Sequence, residues 1–208
     1  KNRFPHFMLK EIYGEPEAVE NALRGRLIIK DGLAKLGGFE MVEKDLRKLN
    51  RLIITACGTA FYAGLVGEYM LEEHSGLAVE TEYASELRYK NHNPEARTAL
   101  LAVSQSGETA DTLGALREMK RKGLLTLGVV NVIGSSIARE TDAGVYNHAG
   151  PEIGVASTKA FVSQIAVMAL LTLFLGRQRG MSLAEGRKIA EELTRLPEKM
   201  RMVLAQAK

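Results

Sequence analysis

The order of apolar runs along this chain predicts an α/β fold: a doubly wound sheet of about five parallel strands flanked by helices. Three observations carry that prediction. Runs such as Arg51–Cys57 and Thr98–Ser104 are short and almost continuously apolar, the pattern of strands buried on both faces of a parallel sheet. Stretches of helical period, such as Phe61–Glu73, fall between the runs. The turns from run to helix are tight and carry Gly, Ser or Thr, as at Gly58-Thr59 and Ser104–Thr109.

The elements follow in order. Phe4–Asn21 reads as helical, with a break around Gly14 to Pro16. Gly37-Gly38 separates another helical stretch from one that begins near Phe39. Arg51–Cys57 is the first strand, and Phe61–Glu73 the helix after it. Leu77–Tyr83 alternates apolar and polar residues, as a more exposed strand does. Ser85–Lys90 reads as a short helix, and Thr98–Ser104 as the next buried strand. A helix then runs to about Lys122, followed by a strand at Leu124–Val130, a short helix at Ser135–Arg139 and an edge strand at Ala143–Tyr146. A long helix is expected after Gly154, reaching about Leu175, and a last one over Met181–Arg195, stopped by Pro197. Strands alternating with helices imply right-handed crossovers. Ligands of such sheets bind beyond the carboxyl ends of the strands, so the loops after Cys57, Ser104, Val130 and Tyr146 are the places to look.

Composition narrows the function classes. A chain of 208 residues, 46% hydrophobic and 25% charged, suits one soluble domain with a substantial core. A net charge of +3 can attract a phosphorylated metabolite and is too small to imply nucleic acid. Lys120-Arg121-Lys122 reads as the cationic end of a helix. The single cysteine, Cys57, allows neither an internal disulfide nor a multi-cysteine metal site, and His6, His74 and His148 lack metal-ligand spacing. No signal-peptide pattern is present, and the longest apolar segment, Ile165–Leu175, falls short of the roughly 20 residues that span a membrane. The expectation is a cytoplasmic protein with neither membrane nor nucleic acid as partner. The start at Lys1-Asn2, without Met, points to a piece of a longer chain.

Three loops carry the chemistry. Ser104-Gln-Ser-Gly-Glu-Thr109 joins a buried strand to a helix. Gly107 permits a tight turn and close approach of a ligand. The following helix offers free N–H groups and a dipole that favours an anion, and Ser104, Ser106 and Thr109 add hydroxyl donors without charge. Without a Lys after the Gly, this is not a nucleotide P-loop. Capping of the helix by Ser106 or Thr109 is an equally local reading, and the two are compatible. Cys57-Gly58-Thr59-Ala60 is a second, weaker strand–helix turn, which simple packing also explains. In Glu152–Phe161, Gly154 allows an unusual turn, Ser157 or Thr158 suits a helix cap, and Lys159 is either a source of charge for a ligand or a surface residue.

Taken together, Ser104-Gln-Ser-Gly-Glu-Thr-Ala-Asp-Thr112, Cys57-Gly-Thr59 and Glu152-Ile-Gly-Val-Ala-Ser-Thr-Lys-Ala-Phe161 resemble the sugar isomerase (SIS) domains, which are flavodoxin-like. Within them, the residues are most similar to the isomerase half of the glutamine–fructose-6-phosphate aminotransferases, the glucosamine-6-phosphate synthase family. Pro5-His-Phe-Met-Leu-Lys-Glu-Ile12 resembles the start of that isomerase region, so the similarity covers nearly the whole chain. The resemblance implies a hexose 6-phosphate ligand, fructose-6-phosphate or glucosamine-6-phosphate. It assigns Ser104, Gln105, Ser106 and Thr109 to the phosphate, and Gly58, Thr59 and the backbone near Val155 to the sugar. Ala60 stands where many relatives carry Ser, which removes one neutral hydrogen bond of about 1 kcal/mol.

The resemblance also implies what to expect of the whole. The chain matches the first of two SIS subdomains, with residues 1–45 as an N-terminal helical segment, 46–180 as the binding domain and 181–208 as a helical connector. The family's glutaminase domain, and its catalytic Glu, His and Lys from the second half, have no matching positions, so no catalytic residue, metal or cofactor is assigned. Glu108, Glu152 and His92 are the local acid–base candidates. Glu108 reads instead as stabilising its own helix, Glu152 as ordering its loop, and His92 as an exposed loop residue. The expected function is sugar-phosphate binding without full catalysis, in a chain that pairs with a second copy. A small complete isomerase and a non-catalytic sugar-phosphate sensor are the alternatives, although no DNA-binding helix-turn-helix is evident in the first 50 residues.

Overall fold

The computed structural model describes residues 4–91 and 95–207, so Lys1-Asn2 and His92 lie outside the described residues. Helices α1 (Phe7–Tyr13) and α2 (Glu15–Leu23) open the chain on either side of Gly14. Pro16 lies in the first turn of α2, where its missing N–H removes no helical bond. The expected helix before Gly37 is absent. Strands β1 (Leu27–Ile28) and β2 (Leu33–Ala34) form a small antiparallel hairpin instead. Its loop ends at Asp31-Gly32 with Gly32 left-handed (φ 57°), and Asp-Gly is a strong hairpin signal that outweighs a weak helical pattern. A 3-10 turn over Gly37–Val42 then leads into α3 (Glu43–Leu46).

Five parallel strands follow: β3 (Arg51–Ala56), β4 (Ala78–Tyr83), β5 (Thr98–Ser104), β6 (Leu125–Val130) and β7 (Ala143–Tyr146). Their order in the sheet is β4-β3-β5-β6-β7, the flavodoxin-like arrangement. Central β5 is buried along its whole length, whereas edge strand β4 is buried only at Val79 and Glu82. Between them run α4 (Thr59–Ser75), α5 (Ala84–Leu87), α6 (Ala110–Arg121) and α7 (Ser136–Glu140). The period-2 strand pattern divides the core into two layers. Leu52, Ile54, Leu101 and Val103 face Phe61, Leu71, Val167 and Leu170, whereas Ile53, Leu100 and Ala102 face Leu87, Leu116, Met119 and Ile137. The basic triplet ends α6 and is ion-paired: Lys120 with Asp142 at 2.8 Å, and Arg121 and Lys122 with Glu118 at 2.8 and 3.4 Å.

Helix α8 (Lys159–Gln178) starts four residues later than the first position open to it after Gly154 and is longer than the apolar segment within it. By length and composition it could cross a membrane, but 72% of its most apolar window is buried inside the protein, which makes it a core helix. It packs along α4 and α2. Helix α9 (Leu183–Gln206) begins with Ser182 Oγ accepting the Glu185 N–H at 3.1 Å and does not stop at Pro197. Proline removes one main-chain bond, and contact of α9 with α2 and α8 holds the helix across the gap, with Pro197 itself buried.

Candidate functional site

The strand order reverses between β3 and β5, so the loops after those two strands flank the crevice in which sheets of this kind take ligands. Both loops open onto helices. Gly58 is the N-cap of α4 (φ 57°), Thr59 its first residue, and Ala60 is buried beneath them. Thr109 is the N-cap of α6. The two loops touch through α6, where Thr112 Oγ1 lies 3.7 Å from Cys57 Sγ.

The capping reading is settled by geometry. Thr109 makes no side-chain bond to its own helix, and Ser106 Oγ accepts the Glu108 N–H at 3.1 Å, before the helix begins. Buried Ser104 braces the loop from within: its Oγ accepts the Gly107 N–H at 3.0 Å and lies 3.1 Å from Thr109 Oγ1. Two hydroxyls that share one hydrogen bond leave one proton over, and Ser106 uses only an acceptor position, so its proton is free as well. Gln105 is half-buried at the rim. The loop therefore presents unspent hydroxyl protons beside an uncapped helix N-terminus, a combination suited to a phosphate.

Its shape depends on the β6–α7 connection. Gly107 has φ 68°, and a Cβ there would fall 2.0 Å from Ser135 Oγ, so only glycine fits. Ile137 donates its N–H to the Gly107 carbonyl at 3.0 Å, and Asn131 donates its own to Gln105 at 3.3 Å. Glu108 Oε1 accepts the Ser136 N–H at 2.7 Å. That corrects the expectation for Glu108: it serves the first turn of α7, not its own helix. The hydrogen bonds from Ser136 hold its carboxyl below the usual carboxylate range.

The third loop, after β7, is tied in from several sides. Asn131 Oδ1 accepts the Ala149 N–H and its Nδ2 donates to the Gly150 carbonyl, each at 2.8 Å. Buried Asn147 donates to Ser163 Oγ at 2.5 Å, which sets the start of α8 beside the end of β7. Glu152 orders its loop as expected. Its Oε1 accepts the N–H groups of Thr158 and Ala160 at 2.9 and 3.1 Å, and its Oε2 accepts the Ser157 hydroxyl at 3.0 Å. The helix is thus capped by this carboxylate rather than by Ser157 or Thr158. Burial, reinforced by the charge of Glu152, raises the carboxyl of nearby Glu15. Val155 is fully exposed. Lys159 lines a pocket of about 340 Å³ between this loop and the first two helices, with Lys10, Glu11, Glu17, His148 and Ile153. Among the described residues no group of three His, Cys, Asp or Glu side chains could hold a metal ion.

Residue Glu11, 5% exposed, enters the site unannounced: it accepts the N–H of Ile153 at 2.6 Å and that of Gly154 at 3.2 and 3.1 Å. Nothing local in the sequence names its partner, which lies more than a hundred residues away.

The sequence profile of the SIS domain matches residues 45–174, from α3 to α8. The chain belongs to the SIS domain family. Its SIS relatives include isomerizing glutamine–fructose-6-phosphate aminotransferases. That of Chlorobaculum tepidum is 46% identical over 206 residues, covering 99% of this chain and 34% of the relative. That of Thermus thermophilus is 50% identical over 205 residues, covering 98% and 33%. The chain thus spans about a third of the length of the curated relatives it matches. Among solved structures, the C-terminal domain of glucosamine-fructose-6-phosphate aminotransferase from Francisella tularensis superposes with a TM-score of 0.89 at 36% identity, over 95% of this chain and 56% of that one. Tagatose-6-phosphate ketose/aldose isomerase from Escherichia coli, at 15% identity and a TM-score of 0.65 over 96% of this chain and 54% of that one, shares the fold.

Proposed function

We propose that this SIS domain binds a hexose 6-phosphate, fructose-6-phosphate or glucosamine-6-phosphate, as the sugar-phosphate-binding part of an isomerizing glutamine–fructose-6-phosphate aminotransferase. Residues 46–180 form the binding unit. Ser104, Gln105, Ser106 and Thr109 take the phosphate; Gly58, Thr59 and the backbone near Val155 take the sugar. The observation that carries the reading is the uncapped start of α6, set at the reversal of strand order with the protons of Ser106 and of the Ser104–Thr109 pair unspent. The names of its relatives and of the Francisella structure support the choice of ligand. No base is assigned, so binding is expected to exceed catalysis. A half-buried free cysteine suits the cytoplasm. Pairing with a second copy is the proposed assembly, and Tyr62, Val66 and Tyr69 line up on the outer side of α4 as an exposed apolar stripe that supports it.

Calorimetric titration tests the reading with fructose-6-phosphate, glucosamine-6-phosphate and fructose. Both phosphate esters are expected to bind and fructose is not. A folded protein that binds neither ester refutes the assignment, and turnover of fructose-6-phosphate at enzymatic rates refutes binding without catalysis.

A further inference from the structure

We infer that Glu11 is a positioning residue for the sugar end of the ligand: it fixes the backbone of Ile153 and Gly154 so that the loop tip at Val155-Ala156 is presented in one shape. The inference rests on the sugar-phosphate reading of the cradle, to which Asn131 links the start of this loop, and deepens it.

Glu11 is the one buried residue of α1, 142 positions before Ile153. A buried carboxylate is costly unless charge-assisted bonds satisfy it. The bonds here come from two successive N–H groups of the loop, one oxygen serving both and the other adding a second contact to Gly154. The fit is close. A Cβ on Gly154 would stand 2.6 Å from Glu11 Oε2, so a larger residue there would push the carboxylate from its place. Glu152 grips the downstream half, at Ser157, Thr158 and Ala160. Between the two clamps lie Val155 and Ala156, both exposed to solvent. A loop held by its backbone, with its tip side chains bound to nothing, is organised to be touched. Fixing it in advance lowers the ordering cost of binding. Stabilising α1 alone needs no buried carboxylate aimed at a remote loop.

Two ligands separate this role from a general structural one. Inorganic phosphate engages the cradle only, whereas fructose-6-phosphate engages the cradle and the tip. Glu11→Gln places an amide N–H where Gly154 needs an acceptor. It is expected to raise the Kd for fructose-6-phosphate about tenfold, equivalent to about 1.4 kcal/mol, while leaving that for inorganic phosphate within about twofold. Amide exchange should quicken at residues 153–154 and not at 104–109. Equal weakening of both ligands overturns the inference, as does unchanged fructose-6-phosphate binding when exchange at 153–154 has quickened. The wild-type protein supplies a measurement that needs no variant: fructose-6-phosphate should slow exchange at 153–156, and inorganic phosphate should not. If the sugar ester protects 105–109 alone, the tip is not a contact and the inference fails while the cradle stands. If the wild-type protein binds neither ligand, the cradle reading fails and takes this one with it.

Discussion

The proposed phosphate cradle at 104–109 and the loop from 151 to 158 both follow strands of the same parallel sheet, but they are held in opposite ways. Within six residues, Ser104 holds Gly107 and Thr109, and Ser106 holds the Glu108 N–H. The second loop is held by a carboxylate from α1 and by one at its own start. The cradle is a motif because its partners are neighbours in the chain. The other loop has no motif of comparable clarity, since half of what shapes it comes from the far end of the sequence. Dependence on remote partners is not absent from the cradle either, as the seat of Gly107 on Ser135 shows.

The largest effect expected from this contrast is at that seat. Gly107→Ala combines a left-handed φ with a clash against Ser135 and should destabilise the protein by about 2–4 kcal/mol in urea denaturation. Adding Ser135→Gly should restore part of the loss, and no recovery would show that the cradle is more self-contained than its geometry implies. Next comes the double substitution Ser104→Ala and Ser106→Ala. It removes two hydroxyls of the proposed phosphate site and should weaken fructose-6-phosphate binding by about 2–3 kcal/mol in a calorimetric titration. Unchanged affinity would take the phosphate away from this loop. Glu152→Ala should cost about 1–2 kcal/mol of stability, the value of a lost helix cap, with faster amide exchange at 157–160 and none at 105–109. Faster exchange in both loops would dissolve the distinction between them.

The smallest effect is a pH dependence at the exposed Glu108. Its folded carboxyl titrates below the ordinary range because Ser136 donates to it. Its contribution is therefore complete above the unfolded value of about 4.3 and is lost as pH falls through the lower folded one. The melting temperatures of wild type and Glu108→Gln should differ at neutral pH and converge in acid. A gap that widens in acid would reverse the assignment.

Several elements are legible in the residues alone. β5 and β7 occupy the predicted residues, and β3, β4 and β6 differ from their predicted spans by one terminal residue each, because continuous apolar runs bounded by turn residues leave little freedom. Other elements are not. Asp31-Gly32 makes a hairpin of a stretch whose apolar spacing suggests a helix, a case of turn chemistry deciding over weak periodicity. Pro197 has the pattern of a stop, but α9 rests on α2 and α8, and that support exceeds the loss of one hydrogen bond. Glu108 lies beside one helix in sequence, but its carboxylate serves the start of another.

The sequence by itself determined the alternation of strand and helix, the chain of turns that ends the strands, and the hydroxyl-rich segment at Ser104–Thr109, because each depends on periodicity or on residues a few positions apart. Only the tertiary structure decided which groups meet: that the reversal of strand order falls between the Gly58 and Ser104 loops, that Gly107 rests on Ser135, and that Glu11 closes on Gly154. Contacts of that kind arise when packed layers bring distant segments together, and residue spacing along one chain carries no record of them.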